Sequence, residues 1–101
     1  MAHSFAALVA ISREHGHMTA AEFDFSVARA GKSHYADCFA DAAFILAERE
    51  AKEGDDWKTI GVRSRQILAA YAADIEAFGQ AAQTKRYEGY TGEFRQVRYA
   101  Q

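Results

Sequence analysis

The chain has 101 residues, a formal charge of −2 and 50% hydrophobic residues, which leaves room for one domain with one core and excludes a disordered chain. Its 22 alanines outnumber its 3 leucines, 5 isoleucines and 4 valines together, and it contains no proline. Because alanine favours helices and β-branched residues favour strands, this composition predicts an all-α fold, with aromatic residues filling the space between alanine-rich helix faces. The slightly negative charge does not indicate a globally basic nucleic-acid-binding protein.

The N-terminus, the length of the apolar runs and the single cysteine indicate the cellular compartment of the protein. The N-terminus, Met1-Ala2-His3-Ser4-Phe5, lacks the basic start and apolar core of a secretion signal, and the longest apolar runs are far short of a membrane span. The single cysteine, Cys38, cannot form an intrachain disulfide, which suits a reducing compartment. We therefore expect a cytoplasmic protein without a membrane partner.

The first two helices are marked by their capping residues. Ser4 is placed to cap a helix that runs to about Glu14. Thr19, followed three residues later by Glu22, has the form of a capping box and predicts a second helix that runs to about Ala30. The link between these two helices is short, which favours an antiparallel pair.

The third helix is predicted to be the central one. We expect Ser33 to cap it and the helix to run to about Glu53, before Gly54. A second apolar strip lies beside its main stripe, and so wide an apolar surface implies contacts on more than one side. The main stripe consists of Tyr35, Cys38, Phe39, Ala42, Ile45 and Leu46, and the second strip of Ala40, Phe44, Ala47 and Ala51.

The fourth helix has the most regular apolar spacing of the chain. Asp55 or Asp56 is predicted to cap it, and apolar residues then recur every three or four positions up to Phe78. These positions are Trp57, Ile60, Ser64, Ile67, Leu68, Tyr71, Ile75 and Phe78. With short links throughout, the chain predicts a compact antiparallel four-helix arrangement.

The character of the sequence changes after about Gln83. We divide the chain into a helical domain, residues 1–83, and a C-terminal tail, residues 84–101. The tail has a net charge of +2 and the remainder −4. Gly89 and Gly92 argue against a continuous helix, so an irregular segment is expected, either docked on the domain or bound to a partner. The tail contains four aromatic residues and four cations, namely Tyr87, Tyr90, Phe94, Tyr99, Lys85, Arg86, Arg95 and Arg98.

A local pattern in the fourth helix resembles a helix-turn-helix motif. The segment Ile60–Ile67 has a glycine at the position of the turn, and Arg63 and Arg65 follow where base edges or phosphates would be contacted. However, the apolar stripe passes through Gly61 without a change of phase, which favours one uninterrupted helix. A small DNA- or RNA-binding regulator is the alternative that this pattern supports.

Candidate metal and catalytic groups are sparse. His34 and Cys38 are four residues apart on the third helix, but the tightly spaced ligand pairs of zinc sites are absent. Asp37, Asp41 and Glu48 share one face of that helix, where a solvated acidic face is the usual role. No phosphate-binding loop or nucleophile motif is present, so we expect no metal and no cofactor, and a small enzyme ranks third among the hypotheses.

The chain is short and lacks motifs, it is rich in alanine, and it has 8 arginines against 4 lysines. In these general features it resembles the short accessory proteins of bacteriophages and other mobile elements, including anti-CRISPR-type inhibitors. The resemblance implies a bacterial setting and inhibition of a host complex by occupation of its surface.

The leading hypothesis is a non-enzymatic protein-protein interaction module, because tyrosine and arginine are enriched at interface hot spots. Its expected anchors are Tyr87, Tyr90, Arg95, Arg98, Tyr99, Arg63 and Arg65. The acidic face could instead imitate phosphates to a nucleic-acid-binding partner. The wide third-helix stripe and the scarcity of leucine also suggest a homodimer, in which a second chain completes the core.

Overall fold

The structure is a computed structural model that describes the backbone of residues 4–90 and the side chains of residues 4–84. Within these residues it contains five α-helices and no strand, so the predicted all-α fold is confirmed. The helices are α1 (Phe5–His15), α2 (Ala20–Ala30), α3 (Asp37–Arg49), α4 (Trp57–Ala70) and α5 (Ala72–Tyr90), with a 3-10 turn at Lys32–His34. No helix among the described residues has the length and apolar character needed to cross a bilayer.

The caps of α1 and α2 are those that the sequence predicts. The Ser4 hydroxyl accepts a hydrogen bond from the Ala7 amide at 3.2 Å, which satisfies one of the free amides of the first turn. Thr19 and Glu22 form the complete capping box, each side chain accepting from the other residue's amide at 3.1 and 2.8 Å. Gly31 then ends α2 with a φ of +80°, a conformation that favours glycine.

The third helix is shorter than predicted at both ends. The chain makes the 3-10 turn before α3 begins at Asp37, so Ser33 does not cap it. At the other end α3 stops at Arg49 rather than near Glu53, because Asp55 accepts a hydrogen bond from the Lys52 amide at 2.9 Å and turns the chain toward α4.

The predicted fourth helix is divided into two. Asp56 caps α4 by accepting from the Thr59 amide at 2.8 Å, and Gly61 lies inside this helix. The helix ends at Ala70, Tyr71 forms a turn, and α5 begins at Ala72. The expectation of one helix through to Phe78 is therefore wrong, because α4 packs mainly against α3 whereas α5 packs mainly against α2.

Helix α3 is central, as its two apolar strips predict, since it packs against both α1 and α4. The core is formed mainly by aromatic rings and alanines, as the composition predicts. Phe39 is fully buried, and its ring lies 5.6 Å from the Phe5 ring, 5.6 Å from the Phe23 ring and 5.8 Å from the Phe78 ring. The buried hydrophobic residues are Leu8, Ile11, Phe23, Val27, Ala28, Tyr35, Phe39, Ala42, Ala43, Leu46, Ala47, Ile60, Ile67, Ile75 and Ala82.

Candidate interaction surface

The most exposed large hydrophobic side chain of the described residues is Trp57, which retains 69% of its accessible surface. Its ring stacks on that of Phe44, with 5.9 Å between ring centroids and 16° between the planes. Trp57 is the first of the regularly spaced apolar positions of the fourth helix, but the core does not cover it. Trp57 is the first residue of α4, where the core no longer covers the apolar stripe. In the sequence, only the position of Trp57 next to the capping residue Asp56 indicated that its side chain would be exposed.

Acidic side chains border the aromatic stack on the α3 side. Asp37, Asp41, Phe44 and Glu48 follow one another at spacings of three or four residues, so they lie along one stripe of the helix. All three acidic residues are exposed. Asp41 Oδ2 lies 3.5 Å from His15 Nε2, while Asp37 Oδ2 lies 3.2 Å from His34 Nδ1. The stripe therefore presents carboxylates on both sides of Phe44.

Basic side chains border the stack on the α4 side. Trp57, Gly61 and Arg65 are four residues apart and form one row along the helix. Arg65 Nη1 lies 3.7 Å from the position that a Cβ on Gly61 would occupy, so the guanidinium reaches back over the glycine toward Trp57. Lys58, seven residues before Arg65, is exposed on the same side of α4.

We call this area the Trp57 surface and define it by the stack, the three carboxylates and the two cations. Because Phe44 and Trp57 touch, the α3 stripe and the α4 row face the same side of the molecule. Aromatic anchors beside charged groups are typical of protein interfaces, where tryptophan and arginine are enriched among the residues that dominate binding. Its members are Asp37, Asp41, Phe44, Glu48, Trp57, Lys58 and Arg65.

The two arginines that the sequence singled out in α4 have different surroundings. Arg63 Nη2 lies 3.3 Å from Asp55 Oδ2, and Arg63 Nη1 donates to the Ala47 carbonyl at 3.3 Å. This side chain joins the middle of α4 to the end of α3 and to the turn between the two helices. Arg65, by contrast, is exposed and belongs to the Trp57 surface.

The remaining predicted anchors belong to the C-terminal part of the chain. Tyr87 and Tyr90 lie in the last turns of α5, which continues seven residues past the boundary placed at Gln83. Gly89 is accommodated within this helix, close to its end. The predicted anchors Arg95, Arg98 and Tyr99 lie outside the described residues.

The segment that resembles a helix-turn-helix motif is part of a single helix. Residues 57–70 are continuously helical, as the unbroken apolar stripe predicts, so there is no turn at Gly61 and the motif interpretation is wrong. Ile60, Ser64 and Ile67 face the core, and Arg63 is held by Asp55.

Candidate metal and nucleophilic groups do not converge in the described residues. No group of three or more histidine, cysteine, aspartate or glutamate side chains is placed there to hold a metal ion. Cys38 is half-buried, and burial together with the negative charge of Asp37 raises the pKa of its thiol. A raised pKa lowers the thiolate fraction at neutral pH and thus the reactivity of the sulfur.

Comparison with known proteins gives no relative: no protein family, no curated protein and no solved structure matches this chain.

Proposed function

We propose that this protein is a non-enzymatic protein-protein interaction module that occupies a partner's surface through the Trp57 surface. The observation that carries the proposal is the exposure of Trp57, 69% accessible while its ring is stacked on Phe44. The exposed part of this ring contributes nothing to folding, whereas its burial by a partner stabilises the complex by roughly 2 kcal/mol or more.

The stack is well suited to binding because it is held in place before a partner arrives. Phe44 packs against the buried core of the protein, so the ring beneath Trp57 is fixed. Arg63, in the middle of α4, bonds to the Ala47 carbonyl at the end of α3 and to Asp55 in the turn, which holds the two helices that carry the stack in register. A preorganised anchor loses little conformational entropy on binding, and this increases affinity.

The finer part of the proposal is that the partner is a host complex inhibited by an accessory protein of a bacteriophage or another mobile element. Its support is the compositional resemblance to such proteins. The tail residues Tyr87, Tyr90, Arg95, Arg98 and Tyr99 are proposed as a second set of anchors, in keeping with the enrichment of tyrosine and arginine at hot spots.

The test is a capture experiment with the full-length chain, tagged at its N-terminus, and nuclease-treated lysate of its native host. Three proteins are compared: wild type, Trp57→Ala and Gln66→Ala. Gln66 is exposed on the same helix but on its opposite side, about 180° from Trp57, so its variant is a matched control. We expect wild type and Gln66→Ala to retain the same stoichiometric protein and Trp57→Ala to retain roughly thirtyfold less.

The outcomes separate the hypotheses. Equal retention of the same protein by all three variants would refute the Trp57 surface as the anchor. A variant in which the five tail residues are replaced by alanine then shows whether the tail carries the binding instead. Retention of nucleic acid alone in an untreated lysate, decreasing steeply as salt rises, would support the nucleic-acid-binding regulator. Circular dichroism of each variant confirms that it is folded.

A further inference from the structure

The charges of the Trp57 surface are separated by helix. The carboxylates of Asp37, Asp41 and Glu48 lie on α3, and the cations of Lys58 and Arg65 lie on α4. The stacked rings join the two groups, because Phe44 lies within the acidic stripe of α3 and Trp57 begins the row on α4 that leads to Arg65. From α3 to α4 the charge of the surface therefore changes from negative to positive, and the ring stack spans the contact between the two helices.

This order determines what kind of partner fits. A basic partner would meet Arg65 and Lys58, and an acidic partner would meet the α3 carboxylates, so each would face like charges over part of the contact. A complementary partner needs both signs, in the reverse order, on either side of an apolar centre. A second copy of the chain has this property by symmetry, because a two-fold rotation about an axis between the two charged groups exchanges their positions.

We infer that the Trp57 surface associates with a second copy of this chain as a two-fold symmetric dimer, in which the acidic α3 stripe faces Lys58 and Arg65 of the partner subunit across a shared aromatic centre. The inference rests on the proposed function, since it assumes that the Trp57 surface is an interface, and it identifies the partner. The two copies bury the tryptophan rings that each monomer leaves in water.

The strength of the association has two separate sources. Burial of the stacked rings supplies most of the affinity, because hot-spot aromatic residues dominate interface energies. The exposed charge pairs each contribute little, but they select the orientation, and like charges in their place repel. Association is therefore expected to depend on Trp57 at every salt concentration and on the charge pattern mainly at low salt.

The first measurement is sedimentation velocity of the full-length chain over a range of concentrations, compared with Trp57→Ala and Gln66→Ala. We expect wild type and Gln66→Ala to form dimers with the same dissociation constant, and Trp57→Ala, which removes one ring from each copy, to dissociate roughly a thousandfold more readily. A wild-type chain that stays monomeric at the highest concentration overturns the inference, and so does a dimer that Trp57→Ala leaves unchanged.

A charge exchange tests the orientation. Arg65→Glu places two acidic groups opposite each other in its own dimer, and Asp41→Lys places two basic groups opposite each other in its own. Mixing the two variants at low salt makes both contacts attractive. We expect each variant alone to dimerise more weakly than wild type and the mixture to form a mixed dimer of near wild-type affinity. A mixture no stronger than its components overturns the proposed arrangement, because loss of structure in either variant would not be repaired by mixing.

The failure of this inference can be distinguished from the failure of the proposed function. If the chain is monomeric but still captures a host protein in a Trp57-dependent way, the interaction function stands and the dimer does not. If neither association depends on Trp57, both fail.

Discussion

The ring of Tyr35 lies directly against the backbone of Gly79, where α5 passes the 3-10 turn that precedes α3. A Cβ on residue 79 would overlap three carbons of the Tyr35 ring, far inside van der Waals contact, so only glycine allows this approach. The Tyr35 hydroxyl donates to Gln83 Oε1 at 2.8 Å, one helical turn further along α5. Tyr35 thus fixes the position of α5 by shape and by a hydrogen bond.

Replacing Gly79 with alanine is expected to destabilise the protein. Overpacking against the Tyr35 ring costs about 1–3 kcal/mol, while the better helix propensity of alanine recovers about 1 kcal/mol. Gly61→Ala is the matched control, because the new methyl would meet only Arg65 Nη1, at an ordinary 3.7 Å, and it should raise the free energy of unfolding by up to about 1 kcal/mol. Urea unfolding measures the free energy of unfolding of both variants. A Gly79→Ala variant more stable than wild type would contradict the close approach of Tyr35 to Gly79.

Tyr35 should also make stability depend on alkaline pH. Burial, aided by the negative charge of Glu76, raises the pKa of its phenol above the unfolded value. A raised pKa contributes stability below the unfolded pKa, and that stability is lost as the pH rises through the folded pKa. Between about pH 8 and about pH 11, on either side of the ordinary tyrosine pKa of about 10, wild type should lose more stability than Tyr35→Phe. Parallel losses in the two proteins would show that other groups are responsible.

The contact between α1 and α3 includes one buried hydrogen bond. The Ser12 hydroxyl, in a residue only 8% exposed, donates to the Cys38 carbonyl at 2.7 Å. Ser12→Ala should lower the free energy of unfolding by about 1 kcal/mol. Ser33, which is exposed in the 3-10 turn, is the control, and Ser33→Ala should have a smaller effect. Equal losses in the two variants would argue against the Ser12 bond.

The turn between α3 and α4 should make stability depend on acidic pH through Asp55. A hydrogen bond from the Lys52 amide, aided by Arg63, lowers the pKa of this carboxyl. A lowered pKa contributes stability above the unfolded pKa of about 3.9, and that stability is lost as the pH falls through the folded pKa. Asp55→Ala should therefore be less stable than wild type near neutral pH, with the difference shrinking in acid. Thermal unfolding as a function of pH measures it, and a difference independent of pH would contradict the role of the charge.

The sequence by itself determined the elements that depend on local interactions. The Ser4 cap and the Thr19–Glu22 box act within one helical turn, and alanine-rich segments without proline favour helix wherever they occur. The two apolar strips of α3 correctly indicated a central helix, because the width of an apolar surface reflects how many sides of a helix are covered.

Only the tertiary structure decided where the long apolar repeat divides and which large ring remains in water. Neither glycine nor proline marks the break at Tyr71, whereas Gly61 and Gly79 lie within helices. The break follows from the two surfaces to be covered: a single straight helix cannot pack against α3 along its first half and against α2 along its second. Trp57 continues the apolar pattern of α4, yet it is exposed because the helix begins there and the core ends. Apolar spacing gives the direction in which a side chain points, whereas the arrangement of neighbouring helices determines whether anything covers it.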